Sequence, residues 1–357
     1  MTGKERTACF LSRKKADRIG LFEHFWGNTV KNWISEGHIR KDESPADHFK
    51  LDVEQLNPTN MTADFRMTDQ VLEETNETIL KRDGNGAVFR WHKLHSSTPE
   101  HVDFLVKDNA SWLKHIKPLL TPDPGRINYE KYTEAKKRCD NAGRFFFWCC
   151  GHVFELMKSL TGHVNMLEGM ITDPDWITDM AQTYTDLHIA LMEILFAKCG
   201  KPDGIWYSED LGFKQHPFMS PAMYKEFLYP AHKKFNDFVH SLGLKVVMHS
   251  CGFIEPLLPH IVESGIDCLQ AIEIKAGMDF LRIYKQYGDR LSFMGGLDVR
   301  ILTSNDRGVI DRELEAKIPI VKQNYGYMLH SDHSIPENVK YETYKYFVDR
   351  GLELGKY

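Results

Sequence analysis

The feature of this sequence that most restricts its fold is the alternation of short apolar runs with longer amphipathic runs in its second half. Short apolar runs fit buried strands, whereas amphipathic runs that end at a glycine fit helices. Their regular succession is typical of parallel strands joined by helices. The predicted strands cover residues 145–148, 204–208, 245–249, 268–272, 291–295 and 326–329, and the predicted helices cover 221–242, 254–264 and 278–287.

The first half of the chain is less regular, and its strand candidates cover residues 19–25 and 49–53. Seven or eight units of strand and helix predict an α/β fold with the closed (β/α)8 architecture of a TIM barrel. The 357 residues suffice for such a barrel, and no linker rich in glycine, serine or proline divides them. We therefore expect a single domain over residues 1–357, with the barrel proper at about 18–352.

Composition argues against several classes of partner. The 45 Lys+Arg and 50 Asp+Glu give a net charge of −5, and the basic residues are dispersed, so no nucleic-acid surface is expected. The absence of a long apolar run and of an apolar leader predicts a cytoplasmic protein without a membrane span. The seven scattered cysteines are expected to be reduced thiols that are available to a metal. His92 and His95 lie in a polar stretch and are predicted at the surface.

The end of the predicted strand 245–249 carries a candidate pair of metal ligands. His249 and Cys251 are two positions apart, so a strand would direct both side chains to the same side. Imidazole nitrogen and thiolate sulfur are the donors that Zn²⁺ prefers, and Gly252 would allow the backbone to turn away beneath the ion. A hydrogen-bonded histidine beside a buried free cysteine explains this pair equally well.

Polar residues also follow two other predicted strands, at the barrel end where reactive groups gather. Strand 204–208 leads into the adjacent carboxylates Glu209 and Asp210, and strand 326–329 leads into His330 and His333. Charged side chains beside buried strands are costly unless they are paired or bound to metal. One of the two carboxylates is therefore a candidate metal ligand, although a loop cap or an ion pair is an equally good reading.

Four further residues are weaker candidates for contact with a substrate. Glu273 and Asp298 follow two other strands and would point into the barrel mouth, as catalytic or substrate-binding groups or as partners in a salt bridge. Glu23 and Trp26 belong to an aromatic and acidic segment that could form a substrate wall. Aromatic residues at such spacing are more often part of the core.

The ordered motifs of the chain resemble those of the uroporphyrinogen decarboxylase superfamily. The resemblance implies a (β/α)8 barrel with its site at the C-terminal mouth. The motifs that carry it are Ala16-Asp17-Arg18-Ile19, Ile205-Trp206-Tyr207-Ser208, Glu209-Asp210-Leu211-Gly212, His249-Ser250-Cys251-Gly252, Gly295-Gly296-Leu297-Asp298 and His333-Ser334-Ile335-Pro336.

Within this superfamily the chain is more similar to the methylcobalamin:coenzyme M methyltransferases and related demethylase components than to the decarboxylases. The decarboxylases resemble one another in an arginine-rich N-terminal stretch, whereas this chain has Arg18 alone, followed by the aromatic and acidic segment 21–27. The methyltransferase branch resembles this chain in the pair His249 and Cys251. Where that branch usually has a third cysteine ligand, this chain has His333. The resemblance thus implies Zn²⁺ held by these three residues, with Glu209 or a substrate atom in the fourth position.

The implied function is that of a zinc-dependent methyltransferase component. It would move a methyl group between a small methylated substrate or thiol acceptor and a corrinoid. The chain lacks the Asp-x-His-x-x-Gly signature of cobalamin modules, since the nearest string, at 186–191, ends in leucine. The corrinoid is therefore expected on a partner protein. Two alternatives stay open: a metal-free decarboxylase-like lyase in which His333 and Asp210 act as acid and base, and a small-molecule-binding barrel without catalysis.

Overall fold

The computed structural model describes residues 1–94 and 98–357, so the predicted surface position of His95 lies outside the described residues. Its strands are β1 Gly20–Leu21, β2 Val53–Leu56, β3 Gln70–Glu74, β4 Thr78–Arg82, β5 Val88–His92, β6 Glu100–Asp103, β7 Phe145–Gly151, β8 Gly204–Ser208, β9 Gly212–Phe213, β10 His216–Pro217, β11 Lys245–Ser250, β12 Cys268–Ala271, β13 Ser292–Gly295 and β14 Tyr327–Leu329.

Helices precede, separate and follow these strands along the chain. They are α1 Gly3–Leu11, α2 Gly27–Ser35, α3 Pro45–His48, α4 Asn109–Ser111, α5 Tyr129–Ala142, α6 Val153–Thr172, α7 Pro174–Cys199, α8 Pro221–Met223, α9 Tyr229–Ser241, α10 Leu258–Glu263, α11 Phe280–Tyr287, α12 Val299–Thr303, α13 Arg307–Val321 and α14 Tyr341–Leu354. Within the described parts of the chain, no helix is both long and apolar enough to cross a membrane.

Eight parallel strands form the barrel predicted from the sequence. Their order is β1, β14, β13, β12, β11, β8, β7 and β2. The two outer strands of this series also meet, because the backbone N–H of Asp52 donates to the carbonyl of Leu21 at 2.8 Å. The carboxyl ends of the strands therefore surround one mouth, which is where barrel enzymes place their reactive groups.

Aromatic side chains fill the barrel interior beneath this mouth. Trp206 of β8 contacts Phe22 and Phe147, with ring centroids 5.7 and 5.8 Å away. All three rings are almost completely buried, β12 and β13 are likewise apolar at most positions, and β11 adds the buried run Val246-Val247-Met248. The barrel is thus a packed core with a polar upper end, rather than a channel.

The strand predictions for the second half are confirmed to within a few residues, whereas those for the first half need correction. Strand 204–208 has the predicted bounds. The prediction of a strand at 49–53 is wrong, because α3 occupies 45–48, Lys50 has a left-handed backbone with φ 54°, and β2 begins only at Val53. The strand predicted at 19–25 is reduced to the two residues of β1.

The sequence did not predict an antiparallel sheet of four strands between β2 and β7. Its order is β3, β4, β5 and β6, and it follows the end of β2 at the mouth side of the barrel. All five residues of β3 are exposed, so this strand lacks the alternation of apolar and polar residues that identifies a half-buried strand. We refer to β3–β6 as the inserted sheet.

Candidate metal centre at the barrel mouth

Three side chains at the ends of β8 and β11 converge on one point. Ligand atoms of Asp210, His249 and Cys251 all lie within 4.8 Å of one another. The Nε2 atom of His249 is 3.4 Å from Cys251 Sγ and 3.2 Å from Asp210 Oδ1. A nitrogen, a sulfur and an oxygen are thus available to one cation, which matches the donor types that zinc accepts.

The backbone brings these groups together through the pairing of β8 with β11. Ser208 is in register with His249, and the loops that follow the two strands continue side by side. Gly252 has a φ of 78°, and a Cβ atom there would come within 2.3 Å of the backbone of Gly212. Only glycine permits this close approach, which allows the N–H of Cys251 to donate to Asp210 Oδ1 at 3.0 Å.

The charges of the three groups depend on one another. Burial by itself would lower the pKa of His249, but Cys251 and Asp210 outweigh it and hold this pKa well above its ordinary value. Burial raises the pKa of the Cys251 thiol despite the neighbouring imidazole. Burial would also raise the pKa of Asp210, but the hydrogen bond from His249 lowers it. A protonated His249 therefore pairs with the carboxylate of Asp210, whose Oδ1 is 3.2 Å from Nε2.

Gln270 of β12 orients the imidazole of His249. It lies in register with His249 on the neighbouring strand, and its Oε1 accepts the Nδ1–H of that ring. This bond leaves Nε2 directed at Cys251 and Asp210. Partners of this kind fix the tautomer of metal-binding histidines. Gln270 was not predicted as a site residue, although an amide inside the apolar run 268–272 was a usable signal.

The side-chain amide of Gln270 also belongs to a polar hydrogen-bond network across the floor of the barrel mouth. Its Nε2 lies 3.4 Å from His330 Nε2, which also accepts the Nδ1–H of His24 at 3.1 Å. The side-chain amide of Gln55 donates to the other nitrogen of His24. Burial lowers the pKa of His330 to about 3 and places that of His24 well below its ordinary value, so both rings are neutral near pH 7.

Glu209, predicted as a metal ligand, points away from this group. Its carboxylate is completely buried and accepts the backbone N–H groups of Phe154 and Glu155 at the start of α6, at 3.1 and 3.0 Å. The His232 ring lies 2.8 Å from the same carboxylate, and Tyr224 binds the far side of that ring. The structure therefore brings Asp210, rather than Glu209, to His249.

We expect Glu209→Gln and Asp210→Asn to have opposite effects. Glu209→Gln should lower the free energy of unfolding by about 1–3 kcal/mol, because an amide cannot accept all three of the buried hydrogen bonds. It should leave zinc stoichiometry unchanged. Asp210→Asn should weaken zinc binding with little loss of stability. Urea unfolding and zinc titration of both variants check this, and loss of zinc in the Glu209 variant alone would restore that residue as the ligand.

His333, the third predicted ligand, lies beside this group without joining it. Among the residues that the structure describes, the set of donors within 4.8 Å comprises Asp210, His249 and Cys251. The ring of His333 is 6.1 Å from that of Trp26, and its Nδ1 is 3.4 Å from the carbonyl of Ser334. Trp26 and His333 thus pack against each other, and a metal contact by His333 stays a prediction.

The other predicted site residues mostly hold loops in place. Glu273 is buried and accepts the N–H of Gly252 at 2.6 Å, which supports the loop that carries Cys251. Asp298 caps α12 and pairs with Arg300, so its carboxylate is already occupied. Glu23 accepts the N–H and the hydroxyl of Ser331, at 3.0 and 3.1 Å.

Asp332, which was not among the predicted site residues, joins three loops. Its two oxygens accept the N–H groups of Ile274 and Val299, both at 2.8 Å, and its own N–H donates to the carbonyl of Leu297 at 2.7 Å. The loops after β12, β13 and β14 therefore meet at one buried carboxyl. Burial raises the pKa of Asp332 to about 6 despite these bonds.

The mouth contains a cavity of about 370 Å³ that reaches the group of Asp210, His249 and Cys251 through His249. The residues that line it are His24, Gln55, Asn57, Cys149, Cys150, Gly151, Trp206, Ser208, His249 and Ser334. None of these described residues is an arginine. Arg18 lies at the opposite end of the barrel, where it pairs with Asp52 at 3.0 Å. The described residues that line this cavity thus include no arginine or lysine to bind a polycarboxylate.

Comparisons with known proteins agree with this fold. The family model described as Uroporphyrinogen decarboxylase (URO-D) matches residues 149–353. A methylated-thiol--coenzyme M methyltransferase of Methanosarcina mazei is 26% identical over 160 residues, which are 43% of this chain and 38% of that relative. The match therefore spans well under half of that protein. The solved structure of a methyltransferase from Methanosarcina mazei matches with a TM-score of 0.68 and 16% identity over 99% of both chains, which shows a shared fold.

Proposed function

The chain belongs to the uroporphyrinogen decarboxylase (URO-D) family, and we propose that it is a zinc-dependent methyltransferase component of that family. It would move a methyl group between a small molecule and a corrinoid carried by a partner protein. The observation that carries this proposal is the convergence of Asp210, His249 and Cys251 at the barrel mouth. A metal-free lyase has no need of such a donor set.

The residues present fit a zinc ion. Cys251 offers a soft thiolate, His249 offers the nitrogen that Gln270 leaves available, and Asp210 offers a carboxylate oxygen. Three protein donors leave one position for a substrate atom, as is usual in catalytic zinc sites. When bound there, zinc would supply a Lewis acid that stabilises negative charge on a sulfur or oxygen atom of the substrate.

The chain's own residues would hold and orient the reactants. Gln270 and Glu273 keep His249 and the loop of Cys251 in place, and the neutral rings of His24 and His330 form the floor. The corrinoid would be a substrate on a partner, because the sequence lacks a cobalamin-binding signature. The similarity to a methyltransferase of Methanosarcina mazei supports the reaction type.

The proposal is tested by zinc content and by methyl transfer. Purified protein should contain about one zinc per chain by elemental analysis, as three protein ligands require. The zinc-loaded protein should then change the absorbance of methylcobalamin when a thiol acceptor is added. Failure to take up zinc after incubation with the metal would contradict the proposal and favour the metal-free lyase.

Gln270→Leu should weaken zinc binding by about 10–100-fold, because loss of a hydrogen-bond partner to a metal-binding histidine has effects of this size. The matched control is Gln55→Leu, in the same network but bonded to His24 rather than to His249. Zinc affinity in the control should stay within about threefold of the wild type. Competition titration with a chromogenic chelator measures both variants, and equal losses in the two would contradict the orienting role of Gln270.

A further inference from the structure

A cavity of about 300 Å³ lies at the base of the barrel, at the end opposite the mouth. Its lining comes from the start of α1 and from the segments that lead into β1, β2 and β7. Among the described residues of this lining, four side chains are cationic and one, Asp52, is anionic. The four cations are Arg6, Arg18, Lys50 and Arg144. We call this space the base cavity, and its lining favours an anionic ligand.

The carboxylate of Asp52 already has donors on both of its oxygens. Its Oδ1 accepts from Arg6 at 2.6 Å, and its Oδ2 accepts from Arg18 at 3.0 Å and from the backbone N–H of Leu21 at 2.8 Å. Arg6 has a second carboxylate partner in Asp17, at 2.7 Å. Arg6, Asp17, Asp52 and Arg18 thus form a group in which two cations balance two anions, and the further positive charge of the cavity comes from Lys50 and Arg144.

Lys50 and Arg144 both keep donors that have no acceptor. Lys50 is exposed, and its Nζ takes part in no ion pair or hydrogen bond with the described part of the chain. Arg144 is 6% exposed, and two of its nitrogens donate to Asp47 and to the carbonyl of Leu51. Its buried Nη1 has no hydrogen-bond partner among the described residues, because Glu54 Oε2 is 3.7 Å away. A buried guanidinium nitrogen without an acceptor is costly, and an anion beside it would supply one.

The start of α1 adds a backbone donor to the base cavity. Gly3 is the first residue of this nine-residue helix, and it lines the cavity. The N–H of Lys4 donates to the carbonyl of Gly143 at 2.7 Å, and that of Glu5 donates to the hydroxyl of Thr2 at 3.1 Å. The N–H of Gly3 has no acceptor among the residues that the structure describes. Free N–H groups at the start of a helix favour a bound anion, so this donor acts in the same direction as the cationic side chains.

We propose that the base cavity binds a phosphate group, as inorganic phosphate or as a small phosphate monoester. Lys50, Arg144 and the N–H of Gly3 come from three separate segments, and a phosphate group offers oxygens in enough directions to accept from all three. A carboxylate has only two oxygens in one plane. The bound group would connect α1 with the segments that lead into β2 and β7. The site does not depend on the proposed metal centre, because the two lie at opposite ends of the barrel.

Calorimetric titration of the full-length protein with inorganic phosphate, at constant ionic strength, tests this proposal. Saturable binding is expected, and Lys50→Asn should weaken it by about tenfold, because the substitution removes one charge-assisted hydrogen bond. Asparagine tolerates the left-handed backbone of Lys50, whose φ is 54°. Lys50→Arg keeps the charge and should retain most of the affinity. The matched control is Lys214→Asn, since Lys214 is also an exposed lysine with a left-handed backbone, φ 44°, but lies between β9 and β10 at the mouth.

Absence of saturable phosphate binding, or binding that Lys50→Asn leaves unchanged, would overturn the assignment of the base cavity. An equal loss in Lys214→Asn would overturn it too, because the net charge of the protein would then explain the binding. Acetate that competes with phosphate at equal concentration would overturn the ligand class. Titration with glycerol 3-phosphate distinguishes the two sources of the phosphate group. Tighter binding of the ester that depends on Lys50 would support a phosphate monoester, and weaker binding would support the inorganic ion.

Discussion

Replacement of Cys251 by alanine is expected to weaken zinc binding by more than about 100-fold, while the barrel stays folded. Loss of a partner outside the metal's own ligands already costs about 10–100-fold, so loss of one of three ligands should cost more. His249→Ala should have the same effect, since it removes the nitrogen donor. Elemental analysis after dialysis and a far-ultraviolet circular dichroism spectrum measure the two parts of this prediction.

The chain offers a matched control for this experiment in Cys149. This cysteine lines the mouth cavity, but it is outside the donor group found among the described residues. Cys149→Ala should keep the full zinc content. Retention of zinc by both the Cys251 and His249 variants would contradict the assigned centre, and loss in the Cys149 variant alone would move the centre to β7.

Glu23→Gln is expected to remove a large pH dependence of stability. Burial raises the pKa of Glu23 to about 8 from an ordinary value of 4.5, although backbone and hydroxyl groups of Ser331 donate to it. The folded protein therefore keeps a proton that the unfolded chain releases, and stability falls as the pH rises from 4.5 toward 8. The free energy of unfolding falls by about 1.4 kcal/mol per pH unit in this range, so the stabilisation by Glu23 that is lost between pH 5 and pH 8 is about 4 kcal/mol.

The measurement is the difference in unfolding free energy between the wild type and Glu23→Gln, from urea titrations at three pH values. This difference should shift by about 4 kcal/mol in favour of the variant between pH 5 and pH 8. Taking the difference cancels the titration of all other groups. Glu168→Gln, at an exposed position of α6, should show a constant difference. A constant difference for Glu23→Gln would show that its carboxyl ionises normally in the fold.

The order of the parallel strands could be predicted because each βα unit is a local pattern. A buried strand is a short apolar run and its helix is an amphipathic run, so the bounds of β8 and β11 follow from a few adjacent residues. The inserted sheet gives no such signal, since β3 is exposed along its whole length. Its strands are held by pairing with one another, which depends on contacts between distant residues.

The candidate site likewise has some features that local sequence patterns predict and others that they do not. The spacing of His249 and Cys251 determined that both side chains face one side of β11, because alternation along a strand is a local property. Glu209 and Asp210 are adjacent carboxylates, and nothing in the sequence says which of them faces the mouth. The N–H groups at the start of α6 decided this by binding Glu209, and the close approach of Gly212 and Gly252 brought Asp210 to the donors.

The sequence by itself therefore determined the barrel, the mouth at which polar side chains gather, and two members of the group formed by Asp210, His249 and Cys251. Only the tertiary structure decided the third member of that group, the partner Gln270 that orients His249, and the inserted sheet at the mouth side of the barrel. The physical reason is the separation along the chain of the residues that interact. Periodicity and strand alternation act between near neighbours, whereas these three features depend on which hydrogen bonds and packing contacts form between segments that are far apart along the chain.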